Sequence, residues 1–132
     1  EIDEALIQAD YIVLTLPATD KTRGIITEER LRIMKPDAFL VNIGRGELVD
    51  QEALIKALRN NWIGGAGLDV MTPEPLPEDS PLWDLPNVII TQHSSGLSKK
   101  NDERRMEIFT DNLKRYLNNE KLINLVDFCE GY

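Results

Sequence analysis

The sequence predicts an α/β fold built around a parallel sheet, and three observations carry that expectation. Four short β-rich apolar runs recur along the chain, amphipathic helical patterns lie between them, and polar clusters stand directly after the runs. Strands alternating with helices imply right-handed crossovers and a layered parallel sheet.

The first run is Tyr11-Ile12-Val13-Leu14-Thr15-Leu16, and the second is Ala38-Phe39-Leu40-Val41-Asn42. Ala66-Gly67-Leu68-Asp69-Val70 and Asn87-Val88-Ile89-Ile90-Thr91 complete the set. None alternates cleanly between polar and apolar residues, which predicts strands covered on both faces. Thr27 is placed to cap a short helix running through Met34, which Pro36 stops. Asp50 is placed to cap a second helix, with Ala53, Leu54, Ala57 and Leu58 on one apolar face and Gly64-Gly65 beyond it. A longer helix is expected from about Ser98 to Asn118, with Met106, Phe109, Leu113 and Tyr116 at helical spacing. The stretch from Met71 to Pro86 holds five of the seven prolines and no periodic apolar pattern, so it reads as a stiff irregular loop after a strand.

Charge and composition exclude several classes. The formal net charge of −8 argues against a nucleic-acid backbone or an anionic membrane as partner, since either calls for clustered Lys and Arg. Lys99-Lys100 and Arg104-Arg105 are diluted by Asp102 and Glu103 and read as a solvated helix face. The single cysteine, Cys129, permits no internal disulfide and leaves no basis for a structural zinc site. With no apolar run near the roughly 18 residues of a membrane span, and an acidic start at Glu1-Ile2-Asp3-Glu4, the expectation is a reduced, cytoplasmic setting without metal.

The chemistry-bearing residues follow the strands. Asn42-Ile43-Gly44-Arg45-Gly46 succeeds the second, Asp69 ends the third with Pro73-Glu74-Pro75 opening the loop beyond it, and Gln92-His93-Ser94-Ser95-Gly96 succeeds the fourth. In a parallel sheet all three clusters face one edge, where open α/β sheets gather ligands. A cation, a carboxylate and an imidazole converging there suit reduction of a 2-oxo acid. The guanidinium holds the substrate carboxylate in a fork, the imidazolium gives a proton to the developing alkoxide, and the carboxylate orients the ring. Taken singly, each residue has a plainer reading. Arg45 could sit in a surface glycine turn, Glu74 could be a solvated loop charge, His93 could be structural or merely exposed, and Asp69 could cap backbone donors at a strand end.

The ordered series Asn42-Ile43-Gly44-Arg45-Gly46, Val49-Asp50, Ala53-Leu54, Gly67-Leu68-Asp69-Val70, Pro73-Glu74-Pro75-Leu76, Pro81-Leu82-Trp83 and Thr91-Gln92-His93 resembles the D-isomer-specific 2-hydroxyacid dehydrogenases. The similarity spans about residues 3 to 119. It implies a partial Rossmann-type parallel sheet with flanking helices, lacking the first βαβ units. Residues 1–119 would be the C-terminal half of a dinucleotide-binding domain, and 120–132 a tail returning to a substrate domain. It also implies Arg45 as the substrate-binding arginine, His93 as the acid/base and Glu74 as its paired carboxylate. The resemblance places NAD or NADP beside Ile43, Gly44, Arg45, Asp69, His93 and Gly96, with Asp69 on the nicotinamide carboxamide. Thr15, Leu16, Pro17 and Thr19 resemble the loop beside the adenosine portion. Gln92 stands where the family commonly has Pro, and Ser94 where an apolar residue is usual.

The family's G-x-G-x-x-G turn, whose helix N-terminus receives the pyrophosphate, does not occur in the sequence. Gly64-Gly65-Ala66-Gly67 leads into a strand, the wrong order for a phosphate cradle. The expectation is therefore an oxidoreductase for a small 2-oxo or 2-hydroxy acid, homodimeric when whole, with this chain inactive alone. Two other readings share these residues: a non-catalytic dehydrogenase-like binding or corepressor protein, and an oligomerisation scaffold. Arg45, Glu74 and His93 standing together favour catalysis.

Overall fold

In the computed structural model, which describes residues 1–129, the strands are β1 (Tyr11–Leu14), β2 (Phe39–Asn42), β3 (Gly65–Leu68) and β4 (Val88–Ile90). They form one sheet in the order β1-β2-β3-β4, with every neighbouring pair parallel. Leu14, Asn42, Leu68 and Ile90 stand side by side in register at its carboxyl edge. Three helices connect or precede the strands within a unit spanning Glu1–Ser95: α1 (Ile2–Gln8), α2 (Glu28–Ile33) and α3 (Gln51–Arg59).

The predicted caps form. Thr27 accepts a hydrogen bond from the Arg30 amide at the start of α2, and Asp50 accepts one from the Ala53 amide at the start of α3. Such caps are worth about 1 kcal/mol each, because they satisfy amides that have no partner within the helix. The helix α2 ends at Ile33, with Met34 already extended two residues ahead of Pro36. Ala53, Leu54, Ala57 and Leu58 of α3 are all buried, as their spacing predicts. Leu6 anchors α1, a helix the sequence reading did not identify.

One expectation is corrected. Leu14, Leu40, Ala66 and Leu68 point into the same core as the buried helix residues, so α1 to α3 cover one face of the sheet. On the other face Tyr11 and Ile89 are each 73% exposed, and Val13 and Phe39 are also exposed. Runs with apolar residues at every position are built for cover on two sides, but the unit Glu1–Ser95 supplies cover on one. Tyr11 and Phe39 stack on that open face with their ring centroids 6.1 Å apart.

A second unit runs from Gly96 onward and contains α4 (Asn101–Leu117). Met106, Phe109, Leu113 and Tyr116 are exposed along it. The Asn112 side chain donates to the Ile123 carbonyl at 3.1 Å and accepts from its amide at 2.8 Å, holding the following segment against the helix. The predicted tail over 120–132 extends past residue 129, and its last three positions lie outside the described residues.

The bare face has a mechanical consequence. Truncating Leu54 empties a filled core site and should cost about 2–5 kcal/mol, whereas Ile89→Ala should change stability by no more than about 0.5 kcal/mol. Urea unfolding of both variants checks this, and a large loss for Ile89→Ala would show that its face is covered in solution.

Candidate active site

The parallel ladder continues one residue beyond the strands. The amides of Ile43, Asp69 and Thr91 donate to the carbonyls of Leu14, Asn42 and Leu68 respectively. Past that row no strand partner remains, and side chains take over the work of satisfying the backbone.

After β2, the buried Asn42 shapes the arginine turn. Its Nδ2 donates to the Arg45 carbonyl at 2.8 Å, and its Oδ1 accepts from the Gly44 amide at 3.1 Å. A Cβ on Gly44 would lie 2.7 Å from the Leu16 carbonyl oxygen, and one on Gly46 would overlap the Met71 carbonyl. The turn is therefore pressed between the β1 and β3 loops, and glycine is needed on both sides of Arg45. The Arg45 side chain is exposed, donates from Nη1 to the Gly44 carbonyl at 2.7 Å, and forms no ion pair among the described residues.

After β3, Asp69 is only 4% exposed. Its Oδ1 accepts from the Thr91 hydroxyl and, at 2.8 Å, from the Ser94 amide, while its Oδ2 accepts from the Ser95 amide at 2.8 Å. Burial pushes this carboxyl up, but hydrogen bonds from the side chains of Ser95 and Thr91 and the amides of Ser94 and Ser95 outweigh it. They hold the group far below the ordinary carboxylate value. The strand-end capping role weighed from sequence is what the geometry displays.

Those bonds bracket His93, whose φ is +56°. Left-handed backbone is costly for a residue with a Cβ, and here the anchors on either side hold it. The imidazole Nδ1 lies 3.0 Å from Glu74 Oε2, and Glu74 Oε1 accepts from the Met71 amide at 3.1 Å. The pair is partly open to water, with the His93 side chain 49% and the Glu74 side chain 34% exposed. A cleft of about 590 Å³ adjoins it, walled by Met71, Pro75, Leu76, Trp83 and Ile90. On the bare sheet face a groove of about 350 Å³ runs past Val41, Ile43, Gly67, Asp69, Ile89 and Thr91. Its floor is largely apolar and ends at the polar carboxyl edge of the sheet.

Thr15, Leu16 and Pro17 are exposed directly after β1. Thr19 is tied to Thr22, whose hydroxyl accepts from the Thr19 amide at 2.8 Å and donates to the Pro17 carbonyl at 2.6 Å. Gly96 belongs to the second unit, where its carbonyl accepts from Asn101 at 2.7 Å. The structure thus joins Glu74 to His93 and Asp69 to the histidine turn, and among the described residues it gives Arg45 no ion pair. Gln51 and Thr22 lie outside the motifs read from sequence, while Asn42 and Ser94-Ser95 stood in the strand-end clusters without an assigned partner. Only Asn42 carried a local signal, as a short side chain at a strand end before glycine.

A histidine–carboxylate pair at the strand ends stands at the same edge as an apolar groove, and comparison with known proteins identifies the family. Residues 1–95 match the model of the D-isomer specific 2-hydroxyacid dehydrogenase, NAD binding domain. The chain belongs to that family. It is 43% identical over 126 residues to the glyoxylate reductase of Korarchaeum cryptofilum (strain OPF8), covering 96% of this chain and 38% of the relative. The structure matches a D-isomer specific 2-hydroxyacid dehydrogenase from Xanthobacter autotrophicus Py2 in complex with NADPH and MES, with TM-score 0.91 and 37% identity over 98% of this chain and 53% of that one. It also matches a D-lactate dehydrogenase with NAD+ from Lactobacillus jensenii, with TM-score 0.82 and 34% identity over 96% of this chain and 42% of that one. The chain spans about two fifths of the length of the curated relatives it matches.

Asp69→Asn removes the charge and turns an amide donor toward backbone N–H groups, so it should destabilise the fold by about 1.5–3 kcal/mol near neutral pH. Because the folded value lies below the ordinary 3.8, the ionised group stabilises fully above that value. Its contribution is lost as pH falls below 3.8 toward the depressed folded value. Denaturant curves over a pH series should show the gap between parent and variant constant above about pH 5 and closing in acid; a gap that widens in acid would contradict the assignment.

Proposed function

We propose that this chain supplies the acid/base side of an NAD(P)-dependent 2-hydroxyacid dehydrogenase that reduces a small 2-oxo acid to the 2-hydroxy acid. The observation that carries the reading is the 3.0 Å contact between His93 Nδ1 and Glu74 Oε2, in a chain belonging to this family. Named relatives include glyoxylate reductases, which favours a substrate of that size.

With Nδ1 engaged by Glu74, Nε2 is the ring nitrogen that gives the proton to the substrate oxygen in reduction and takes it back in oxidation. Arg45, unpaired in its turn, grips the substrate carboxylate through two parallel N–H bonds and draws charge from the carbonyl oxygen. Bound nicotinamide cofactor supplies or accepts the hydride. Ile43 and the Asp69 edge form the seat for its nicotinamide end, and the segment from Thr15 to Thr19 lies toward the adenosine. The pyrophosphate finds no glycine-rich strand-to-helix turn among these 132 residues, so the seat is incomplete without further residues. The chain alone is accordingly inactive.

In the complete dehydrogenase, His93→Ala should lower kcat for glyoxylate reduction by about 10²–10⁴-fold while the KM for cofactor changes little. Following NADH and NADPH absorbance gives both parameters, and undiminished turnover would remove His93 from the reaction.

A further inference from the structure

We infer that Gln51 is a positioning residue for the Glu74–His93 pair, acting through a two-bond clamp on the backbone of Thr72. The inference rests on the reading of that pair as the acid/base.

Gln51 opens α3, next to its cap Asp50. Its Nε2 donates to the Thr72 carbonyl at 2.7 Å, and its Oε1 accepts from the Thr72 amide at 3.0 Å. A side-chain amide thus pairs with one residue's whole backbone, as a neighbouring strand would, in a loop without a strand partner. Thr72 sits between the two ends of the glutamate's own restraint. Met71 gives its amide to Glu74 Oε1, and the other oxygen of that carboxylate meets the imidazole. Fixing Thr72 therefore fixes where Glu74 can reach.

The clamp also sets the loop against the arginine turn. Gln51 follows Arg45 by six residues, through a short 3-10 turn at Gly46–Leu48. Gly46 is pressed on the Met71 carbonyl so closely that a Cβ would overlap it. The cation-bearing turn and the carboxylate-bearing loop are joined at two adjacent points, Gly46 on Met71 and Gln51 on Thr72. Neither reacting group touches Gln51, so its effect passes through loop position alone. The amide geometry matters, since glutamate at this position would accept from Thr72 but could not donate to it.

His93 is the chain's one histidine, so its ring nitrogens can be read by ¹⁵N NMR without assignment. At alkaline pH, where the ring is neutral, a carboxylate on Nδ1 selects the Nδ1–H tautomer. The 132-residue chain should show that form, and E74A should lose it. Q51A should lose most of it with helix content by circular dichroism unchanged, and Q51E should fall between parent and Q51A. A wild-type tautomer in folded Q51A beside a shifted E74A overturns the role of Gln51 and leaves the acid/base reading standing. Wild-type signals in both variants show that no pair forms in solution, which overturns both. If Q51A does not fold, Q51E is decisive, and a wild-type tautomer there overturns the clamp.

Discussion

The buried carboxylate of Asp69 is the constraint on which the site depends. A lone charge with 4% exposure would be expensive to keep ionised. It is kept so by donors from Thr91, Ser94 and Ser95. Those donors belong to the residues that flank His93, so satisfying the charge and shaping the turn are one event. The left-handed backbone at His93, a cost of about 1–2 kcal/mol for a residue with a Cβ, is outweighed by hydrogen bonds to an ionised acceptor worth about 1.5–3 kcal/mol each. The imidazole points where it does because a carboxylate on the neighbouring strand end has fixed the chain before and after it.

The same economy recurs along the carboxyl edge. Parallel strands end with amides and carbonyls that no ladder satisfies, and short polar side chains complete them. Asn42 does so within the arginine turn, Thr22 within the β1 loop and Gln51 across to Thr72. Each closes a backbone requirement and, in closing it, fixes a loop at the carboxyl edge. The side chains that complete the backbone at this edge thereby also hold the loops in which Arg45 and Glu74 stand.

Much of this was legible in the residues. Thr27 and Asp50 announced helices α2 and α3, the apolar runs announced four strands within a residue or two, and the proline-rich stretch after β3 announced an irregular loop. The helix at Ile2–Gln8 was passed over because seven residues give too little periodicity to separate helix from turn. The two-sided cover expected of the strands failed for a physical reason: the lack of alternation reports what a strand is suited to meet, and on this face Val13 and Ile89 stay exposed while Tyr11 stacks on Phe39. Glu74 and His93 were paired by resemblance, nineteen residues apart in sequence. Gln51 was invisible, because a glutamine at a helix start gives no local sign of a partner 21 residues away. Asp69 was expected to face cofactor; its carboxylate meets three protein donors and the residue also lines the groove.

Exposure decides how strong the Glu74–His93 pair can be. With roughly half of the His93 side chain and a third of that of Glu74 open to water, solvent competes for both groups. A hydrogen bond in that setting has a modest net worth, and an exposed ion pair is worth still less once two side chains must be ordered to make it. The pair persists only if the ordering has already been done by other contacts. The Met71 amide holds one oxygen of the carboxylate, the Asp69 anchors hold the histidine turn, and the Gln51 clamp holds the loop between Met71 and Glu74. Preorganisation of the backbone thus substitutes for burial in holding Nδ1 against Glu74.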